Sequence, residues 1–217
     1  MSEISENRQS GDGQTIAALQ AALERERART REVDHRAKNS LQIVSSLLLL
    51  MSRRSPQAET QQALKAMHQR VAAIAAVHHE ILEGENPDSF DLTSFVREHM
   101  AAVARTRGDG AAVRLDLVPV QIAASQACAA ALIINELALN ALTHGSPAGA
   151  EPRADLVLRS TATGFVLSIQ DQGPGLPPAA DRAGFGLTIV KVLAQQISAT
   201  VAFEDARPGL RAVVASA

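Results

Sequence analysis

A proline-free stretch from Thr15 to Ser55 sets the first constraint on how this chain can fold. Side chains three and four positions apart lie on one face of an α-helix, so apolar residues at such steps predict one long amphipathic helix. Ser55-Pro56 marks its end, because the residue before a proline is disfavoured in a helix. The apolar or small residues of this stripe are Ile16, Leu19, Leu23, Val33, Ala37, Leu41, Val44, Leu48 and Met51.

A second amphipathic helix follows the turn, and Gly84 and Pro87 end it. Two amphipathic helices joined by a short turn form a hairpin, and one hairpin cannot bury both of its apolar faces. The pattern therefore predicts a second copy that completes a four-helix bundle, and we expect a homodimer. The apolar face of the second helix consists of Leu64, Met67, Val71, Ile74, Val77, Ile81 and Leu82.

From Phe90 onward the pattern changes to alternating helices and strands. Such a mixture predicts an α/β sandwich, with helices on one face of a mixed sheet, so the fold class of the whole chain is α+β. We divide the chain into a disordered N-terminus (1–13), the helical hairpin (14–88) and the sandwich (89–217). The predicted helices are 92–103, 125–144 and 187–197, and the predicted strands are 111–120, 154–159, 165–170, 201–204 and 211–215.

Composition narrows the class of protein further. Aromatic residues make up only 2% of the 217 residues, which favours an aliphatic core packed between helices. A net charge of −2 argues against a nucleic-acid or anionic-membrane surface. The single cysteine, Cys128, suits a reducing compartment, and no apolar run reaches the roughly 18–20 residues of a membrane span. Because a signal-peptide pattern is also missing, we expect a cytoplasmic protein.

His35 is the first candidate for chemistry. It stands two residues from Val33 and from Ala37, so it is turned about 160–200° away from the apolar stripe. We therefore expect its imidazole to project outward. Lys38 and Asn39, three and four residues on, share its face and could contact an incoming group. Taken alone, this pattern is more often an ordinary solvated surface.

Glu136, Asn140 and His144 are spaced four residues apart on the helix predicted over 125–144. This spacing places three polar groups on one face of an otherwise apolar helix. A carboxylate and an amide oxygen so placed can bind Mg²⁺ together with phosphates. The alternative is that they satisfy local backbone groups or cap the helix end.

Glycine clusters stand on either side of a predicted loop. Asp171 follows a strand and precedes Gly173 and Gly175, and its carboxylate can accept a hydrogen bond from a purine amino group. Gly184, Gly186 and Leu187 then open a helix, whose N-terminal amides favour phosphate. Each cluster alone predicts no more than a turn.

The order of these motifs resembles the GHKL ATP-binding fold: Asn-Glu-Leu-x-x-Asn-Ala on a helix, strand-Asp-x-Gly-x-Gly, then Gly-x-Gly-Leu opening a helix. Upstream, Asp34-His35-Arg-Ala-Lys-Asn-Ser-Leu-Gln resembles the HWE/HisKA_2 branch of sensor histidine kinases. The segment from Arg70 to His78 resembles the same branch. The resemblance covers the chain from about Ala28 to its C-terminus.

The resemblance implies a role for each matching residue. His35 would accept a phosphoryl group from ATP, with Lys38 and Asn39 beside it. Asn140 would coordinate Mg²⁺, and Glu136 would support the metal or a water. The remaining assignments are Asp171 for the adenine amino group, His144 for a ligand contact, and Gly173, Gly175, Gly184, Gly186 and Leu187 for the nucleotide pocket and its lid.

The same resemblance implies partners for the chain. As the core of a two-component system, it would pass the phosphoryl group to an aspartate on a response-regulator receiver domain. Its hairpin would be the dimerisation and phosphotransfer domain. The sensory input would come from a separate protein or from a domain outside this sequence.

Two departures from the family pattern leave an alternative open. Thr143 stands where the family often has lysine, and Gly209-Leu210 stands where it usually has Gly-Thr. They motivate a second hypothesis, a histidine phosphotransferase or relay whose ATPase-like domain is degenerate and non-catalytic. Nucleotide binding distinguishes the two, because a relay need not bind ATP. A serine kinase is disfavoured because it would not need the His35 hairpin.

Overall fold

The computed structural model describes residues 2–84, 86–107, 112–147, 151–175 and 185–216. Side chains are described within these ranges except at 2–19, 23, 27–31, 34–35, 83 and 106–107.

Two long helices form an antiparallel hairpin, as the periodicity predicted. Helix α1 covers Ser2–Arg54 and helix α2 covers Ala58–Glu83. The amide of Ser55 donates to the Met51 carbonyl at 3.0 Å, and the amide of Gly84 donates to the Glu80 carbonyl at 2.9 Å. These bonds satisfy terminal carbonyls of each helix, so both helices end where the sequence indicated.

Helix α1 begins earlier than its apolar pattern. It starts at Ser2, whereas the stripe begins after Thr15 and composition predicted disorder over residues 1–13. Once a helix is nucleated, each added residue contributes one further backbone hydrogen bond. Because no proline interrupts the segment, elongation can continue beyond the apolar stripe.

Two polar contacts between the helices define the register of the hairpin. Ser45 Oγ lies 2.8 Å from His68 Nδ1, and the Lys38 ammonium donates to His79 Nδ1 at 3.1 Å. Positions 38–45 of α1 therefore run antiparallel beside positions 68–79 of α2.

One face of α1 carries large apolar side chains that helix α2 does not cover. Three residues of the predicted stripe, Val33, Val44 and Met51, are exposed in the single chain. Helix α2 packs against one side of α1 only, so no other described part of the chain covers the opposite apolar side. We call this surface the α1 stripe; it consists of Ile43, Val44, Leu47, Leu50 and Met51.

The second half of the chain is an α/β sandwich, which confirms the predicted fold class. Its strands are β2 (Ala112–Leu117), β4 (Arg153–Ser160), β5 (Phe165–Asp171), β6 (Ala199–Asp205) and β7 (Leu210–Ser216), and its helices are α3 (Leu92–Arg107), α4 (Ala124–His144) and α5 (Phe185–Gln196). The sheet has the strand order β2-β4-β5-β7-β6; of these pairs β2–β4 is parallel and the others are antiparallel. The helices α3 and α5, together with α2, pack around the central helix α4.

A small second sheet was not anticipated from the sequence. Strand β1 (Ser89–Asp91) pairs antiparallel with β3 (Gln121–Ala123), and β2 ends at Leu117 although a strand was predicted to continue to Val120. The start of α3 causes this break. Leu92 donates its amide to the Val120 carbonyl at 3.1 Å, and Thr93 Oγ1 donates to the Val118 carbonyl at 2.9 Å.

Helix α4 is the central element of the core. Ile133, Ile134 and Leu137 are almost completely buried, and each such side chain contributes about 1.5–3 kcal/mol to folding. Among the described helices, α4 alone is long and apolar enough to cross a membrane, but 72% of its apolar window is buried inside the domain. Such burial is typical of the core helix of a globular domain.

Candidate functional site

Asp171, at the end of β5, is held by two backbone amides. Its carboxylate is buried, and Oδ1 accepts hydrogen bonds from Gly173 N at 2.9 Å and Leu210 N at 3.0 Å. Both bonds use the same oxygen. Oδ2 therefore remains available for a further donor, such as an exocyclic amino group.

Glycines make this close packing around Asp171 possible. A Cβ added at Gly209 would lie 2.0 Å from the Asp171 carbonyl oxygen, and Gly209 has φ +91°. A Cβ at Gly145 would lie 2.3 Å from the Asp171 Cβ, and Gln172 N donates to the Gly145 carbonyl at 3.0 Å. The ends of α4 and β5 and the start of β7 thus meet at this carboxylate.

The structure locates the two departures from the family pattern. Leu210 reaches Asp171 through its backbone amide, so this hydrogen bond does not depend on the side chain at position 210. Thr143 is exposed near the end of α4, where its hydroxyl donates to the Leu139 carbonyl at 2.6 Å. The change to Leu210 therefore leaves the contact with Asp171 intact.

Glu136, Asn140 and His144 differ in burial along α4. Glu136 is buried, Asn140 is half-buried and His144 is exposed. A Cβ added at Gly186 would lie 2.8 Å from Glu136 Oε2 and 3.7 Å from Asn140 Nδ2. The first turn of α5 therefore lies against Glu136 and Asn140, which brings the Gly186 motif and the α4 motif together.

An arginine from the hairpin binds Glu136. Arg70, on α2, donates from Nε to Oε1 at 3.0 Å and from Nη2 to Oε2 at 2.7 Å. The side chains of Arg70 and Glu136 are only 14% and 5% exposed. The Arg70 guanidinium also lies 5.2 Å from the ring centroid of Phe185, the first residue of α5. This two-pronged pair joins the hairpin to the sandwich.

A second polar contact to Glu136 comes from its neighbour Asn135, which is itself bonded to α3. Asn135 Nδ2 donates to Glu136 Oε1 at 3.1 Å, and Asn135 Oδ1 lies 3.0 Å from His99 Nε2 on α3. Burial lowers the pKa of His99, which favours the neutral ring, and that ring stacks on Phe95. Because an amide oxygen only accepts, His99 Nε2 is the nitrogen that carries the proton and donates to Asn135 Oδ1. Glu136 is thus held by hydrogen bonds from two sides.

The donor set fits Mg²⁺ in part. Asn140 offers an amide oxygen beside the first turn of α5, whereas Arg70 engages both oxygens of Glu136. Among the described residues, no group of three or more histidine, cysteine, aspartate or glutamate side chains could hold a metal by itself. This arrangement suits Mg²⁺, which commonly takes one or two protein ligands and completes its shell with phosphates and water.

The remaining residues predicted for the site do not all lie beside Asp171 and Glu136. His35 is in α1, but its side chain lies outside the described residues, as does all of Gly184. The Lys38 ammonium contacts His79 on α2, whereas Asn39 is exposed. The remaining two pocket residues are Gly175, with φ +78°, and Leu187, which packs against the core.

Sequence reasoning assigned no role to Arg70, Asn135 or His99. Arg70 stood in the quoted motif and His99 in a predicted helix, but their contacts join positions 66 and 36 residues apart. The sequence did contain one sign that Glu136 has such partners. A carboxylate such as Glu136 within an apolar helix needs a cation or several donors.

Two family models match the chain. A histidine kinase model (HisKA_2) matches residues 32–106, and a histidine kinase-like ATPase domain model matches residues 94–211. A blue-light-activated histidine kinase of Rhizobium johnstonii is 31% identical over 185 residues, covering 83% of this chain and 49% of the relative. The sensor histidine kinase PdtaS of Mycobacterium tuberculosis is 30% identical over 187 residues, with 83% and 37% covered. The chain thus spans half or less of these relatives' length.

Solved structures show the same fold. The histidine kinase domain of an Erythrobacter litoralis blue-light activated histidine kinase superposes with a TM-score of 0.63 at 18% identity, covering 81% of this chain and 93% of that one. The ATP binding domain of PrrB from Mycobacterium tuberculosis gives 0.51 at 23% identity, with 59% and 94% covered. The two family models, which together extend from residue 32 to residue 211, establish that the chain belongs to the HisKA_2 family of histidine kinases.

Proposed function

We propose that this chain is the catalytic core of a two-component system, which uses ATP to phosphorylate His35 and passes the phosphoryl group to an aspartate of a response-regulator receiver domain. The observation that carries the proposal is Asp171, buried at the end of β5 with Oδ1 bound to two amides and Oδ2 available. A single fixed acceptor suits the amino group of adenine.

The proposed reaction needs little covalent chemistry from the protein. A neutral imidazole nitrogen of His35 attacks the γ-phosphorus of ATP, the bond to the bridging oxygen breaks, and ADP leaves. Such transfers depend mainly on positioning and charge neutralisation. Asn140 would hold Mg²⁺, which neutralises phosphate charge when bound. The first turn of α5 lies beside Asn140, where backbone amides favour phosphate.

Asp171→Ala should weaken ATP binding by about 1.5–3 kcal/mol, the cost of losing a hydrogen bond to a charged group. Because Asp171 also binds two backbone amides, Asp171→Asn provides a second variant that keeps an acceptor at Oδ1. Isothermal titration calorimetry with ATP and with a triphosphate that lacks the adenine amino group measures the effect. Equal ATP affinity in wild type and Asp171→Ala would refute the pocket assignment, and failure of the wild-type chain to bind ATP would favour the relay alternative.

The hairpin should form a homodimer through the α1 stripe. Ile43, Leu47 and Leu50 lie on one exposed face of α1, and burial against a second hairpin would remove them from water. Multi-angle light scattering at micromolar concentration should give twice the chain mass of 22.9 kDa. Leu47→Glu should shift the protein to monomers, whereas Gln62→Glu on an exposed position of α2 should not. A wild-type monomer would contradict the bundle.

Partners and location follow from the same proposal. The receiver domain would dock where His35 is carried on the hairpin. The sensory input would reach the kinase from a separate protein or from a domain outside this sequence. We propose a cytoplasmic location, which suits the single cysteine and a reaction that consumes ATP.

A further inference from the structure

The contact between Arg70 and Glu136 links the element that carries the phosphoacceptor to the candidate nucleotide site. Arg70 belongs to α2 of the hairpin, and Glu136 lies one helical turn before Asn140 on α4. The two side chains share a two-pronged hydrogen bond and are largely hidden from water. An ion pair in this environment is screened much less than one on the surface.

Both oxygens of Glu136 are engaged while the pair is closed. Oε1 accepts from Arg70 and from Asn135, and Oε2 accepts from Arg70. A carboxylate held in this way is not available to support a metal or orient a water. The guanidinium over Phe185 extends the same contact to the first residue of α5.

The register of the hairpin separates this contact from His35. Ser45 of α1 is level with His68 of α2, and Arg70 is two residues from His68. Because the helices are antiparallel, this contact and the Lys38–His79 contact place Arg70 level with about positions 43–47 of α1, roughly ten residues beyond His35. At 1.5 Å per residue this is on the order of 15 Å along the helix axis. The proposed phosphate site, at Asn140 and the first turn of α5, adjoins Glu136 and so shares this offset. Phosphoryl transfer needs reacting atoms within about 3–3.5 Å.

We propose that Arg70 is an inhibitory latch, which holds the nucleotide site of the ATP-binding domain against α2 and away from His35 until the pair with Glu136 opens. This inference rests on the proposed function, since it describes the regulation of the same site. Opening the latch frees Glu136 and Phe185 together and lets the domain move along the hairpin. An input that shifts α2 relative to α4 therefore controls both the carboxylate and the position of the domain.

Acidic side chains elsewhere in the interface between α2 and the ATP-binding domain weaken docking when they ionise. A cleft of about 930 Å³ between α2 and α3 contains Glu80 and Glu98. Burial, together with the negative charges of Asp91 and Glu98, raises the pKa of Glu80 to about 7. Ionisation of Glu80 is thus disfavoured while the domains are docked, so docking weakens as the pH rises from about 4.5 through 7. The other ionisable residues of the cleft are His68, His79, His99 and Arg105.

Arg70→Ala tests the latch in the full chain. With the arginine gone, the docked state would leave Glu136 buried without its cation, so the domain should undock and expose the carboxylate to water. We expect autophosphorylation of His35 to become about tenfold faster or more, the scale at which removing one partner of a buried charge pair shifts a docking equilibrium. Arg70→Lys keeps the positive charge but cannot make the two parallel hydrogen bonds, so it should give an intermediate rate of autophosphorylation. Lys65→Ala, an exposed charge removal on α2, is the matched control.

A distance measurement provides a readout that does not depend on activity. Spin labels at Gln62 on α2 and Thr161 after β4, in a Cys128→Ala background and mixed with an excess of unlabelled chain so that a dimer carries one labelled protomer, report the position of the domain on the hairpin. The wild type should give one narrow distance distribution, and Arg70→Ala a broader one. An unchanged distribution, or slower labelling of His35 in Arg70→Ala, would overturn the latch. A wild type that binds ATP but never labels His35 would refute the proposed function, while the distance comparison would still decide whether Arg70 holds the domain.

Discussion

Asn140→Ala should lower Mg²⁺-dependent autophosphorylation by at least about 100-fold, the scale observed when one group that stabilises transition-state charge is removed. Asn140 is half-buried beside the first turn of α5, and its amide is the predicted protein ligand of the metal. The described structure shows no hydrogen bond from this amide that holds the fold together. The domain should therefore remain folded, and the loss should be one of chemistry.

Initial rates with labelled ATP over a range of Mg²⁺ concentrations measure this loss, and circular dichroism reports the fold. Ser125→Ala, an exposed change at the start of the same helix, serves as the control. Rates within twofold of wild type in Asn140→Ala would remove Asn140 from the metal site. In that case the metal would have to be held without the Asn140 amide.

His35→Gln should abolish incorporation of phosphate and leave ATP affinity unchanged. Glutamine has no nucleophilic ring nitrogen, so the acceptor disappears. Asp171 and Asn140, which define the nucleotide site, belong to the other domain. Autoradiography measures the label and calorimetry measures the affinity, with His78→Gln on α2 as a matched histidine control. Wild-type labelling of His35→Gln would show that another residue is the acceptor.

Periodicity predicted the regular elements well because each depends on local spacing. Helix α2 ends at Glu83, next to the glycine that marked its end, and α4 covers Ala124–His144 against a predicted 125–144. The small strands β1 and β3 were missed because three-residue strands carry too short an alternation to detect. An exposed apolar face on α1 agrees with the expectation that one hairpin cannot bury both of its apolar faces, but the periodicity did not tell which apolar residues of α1 helix α2 would cover.

The candidate site was only partly predictable for a different reason. Motif order indicated Asp171, Glu136 and Asn140, because each stands in a recognisable local pattern. The partners of Glu136 could not be found in this way, since Arg70 reaches it across 66 residues and a domain boundary. Backbone contacts are likewise independent of side-chain identity, so Leu210 could depart from the family pattern and still bind Asp171.

The most direct test of the account is to locate the phosphoryl group after the wild-type chain is incubated with labelled ATP and Mg²⁺. A phosphoramidate on imidazole is lost in acid and survives base, whereas phosphoserine and phosphothreonine survive acid. The account predicts a label that is acid-labile and base-stable, and that mass spectrometry under alkaline conditions assigns to His35. An acid-stable label, a label on another histidine, or no label from a chain that binds ATP would contradict it.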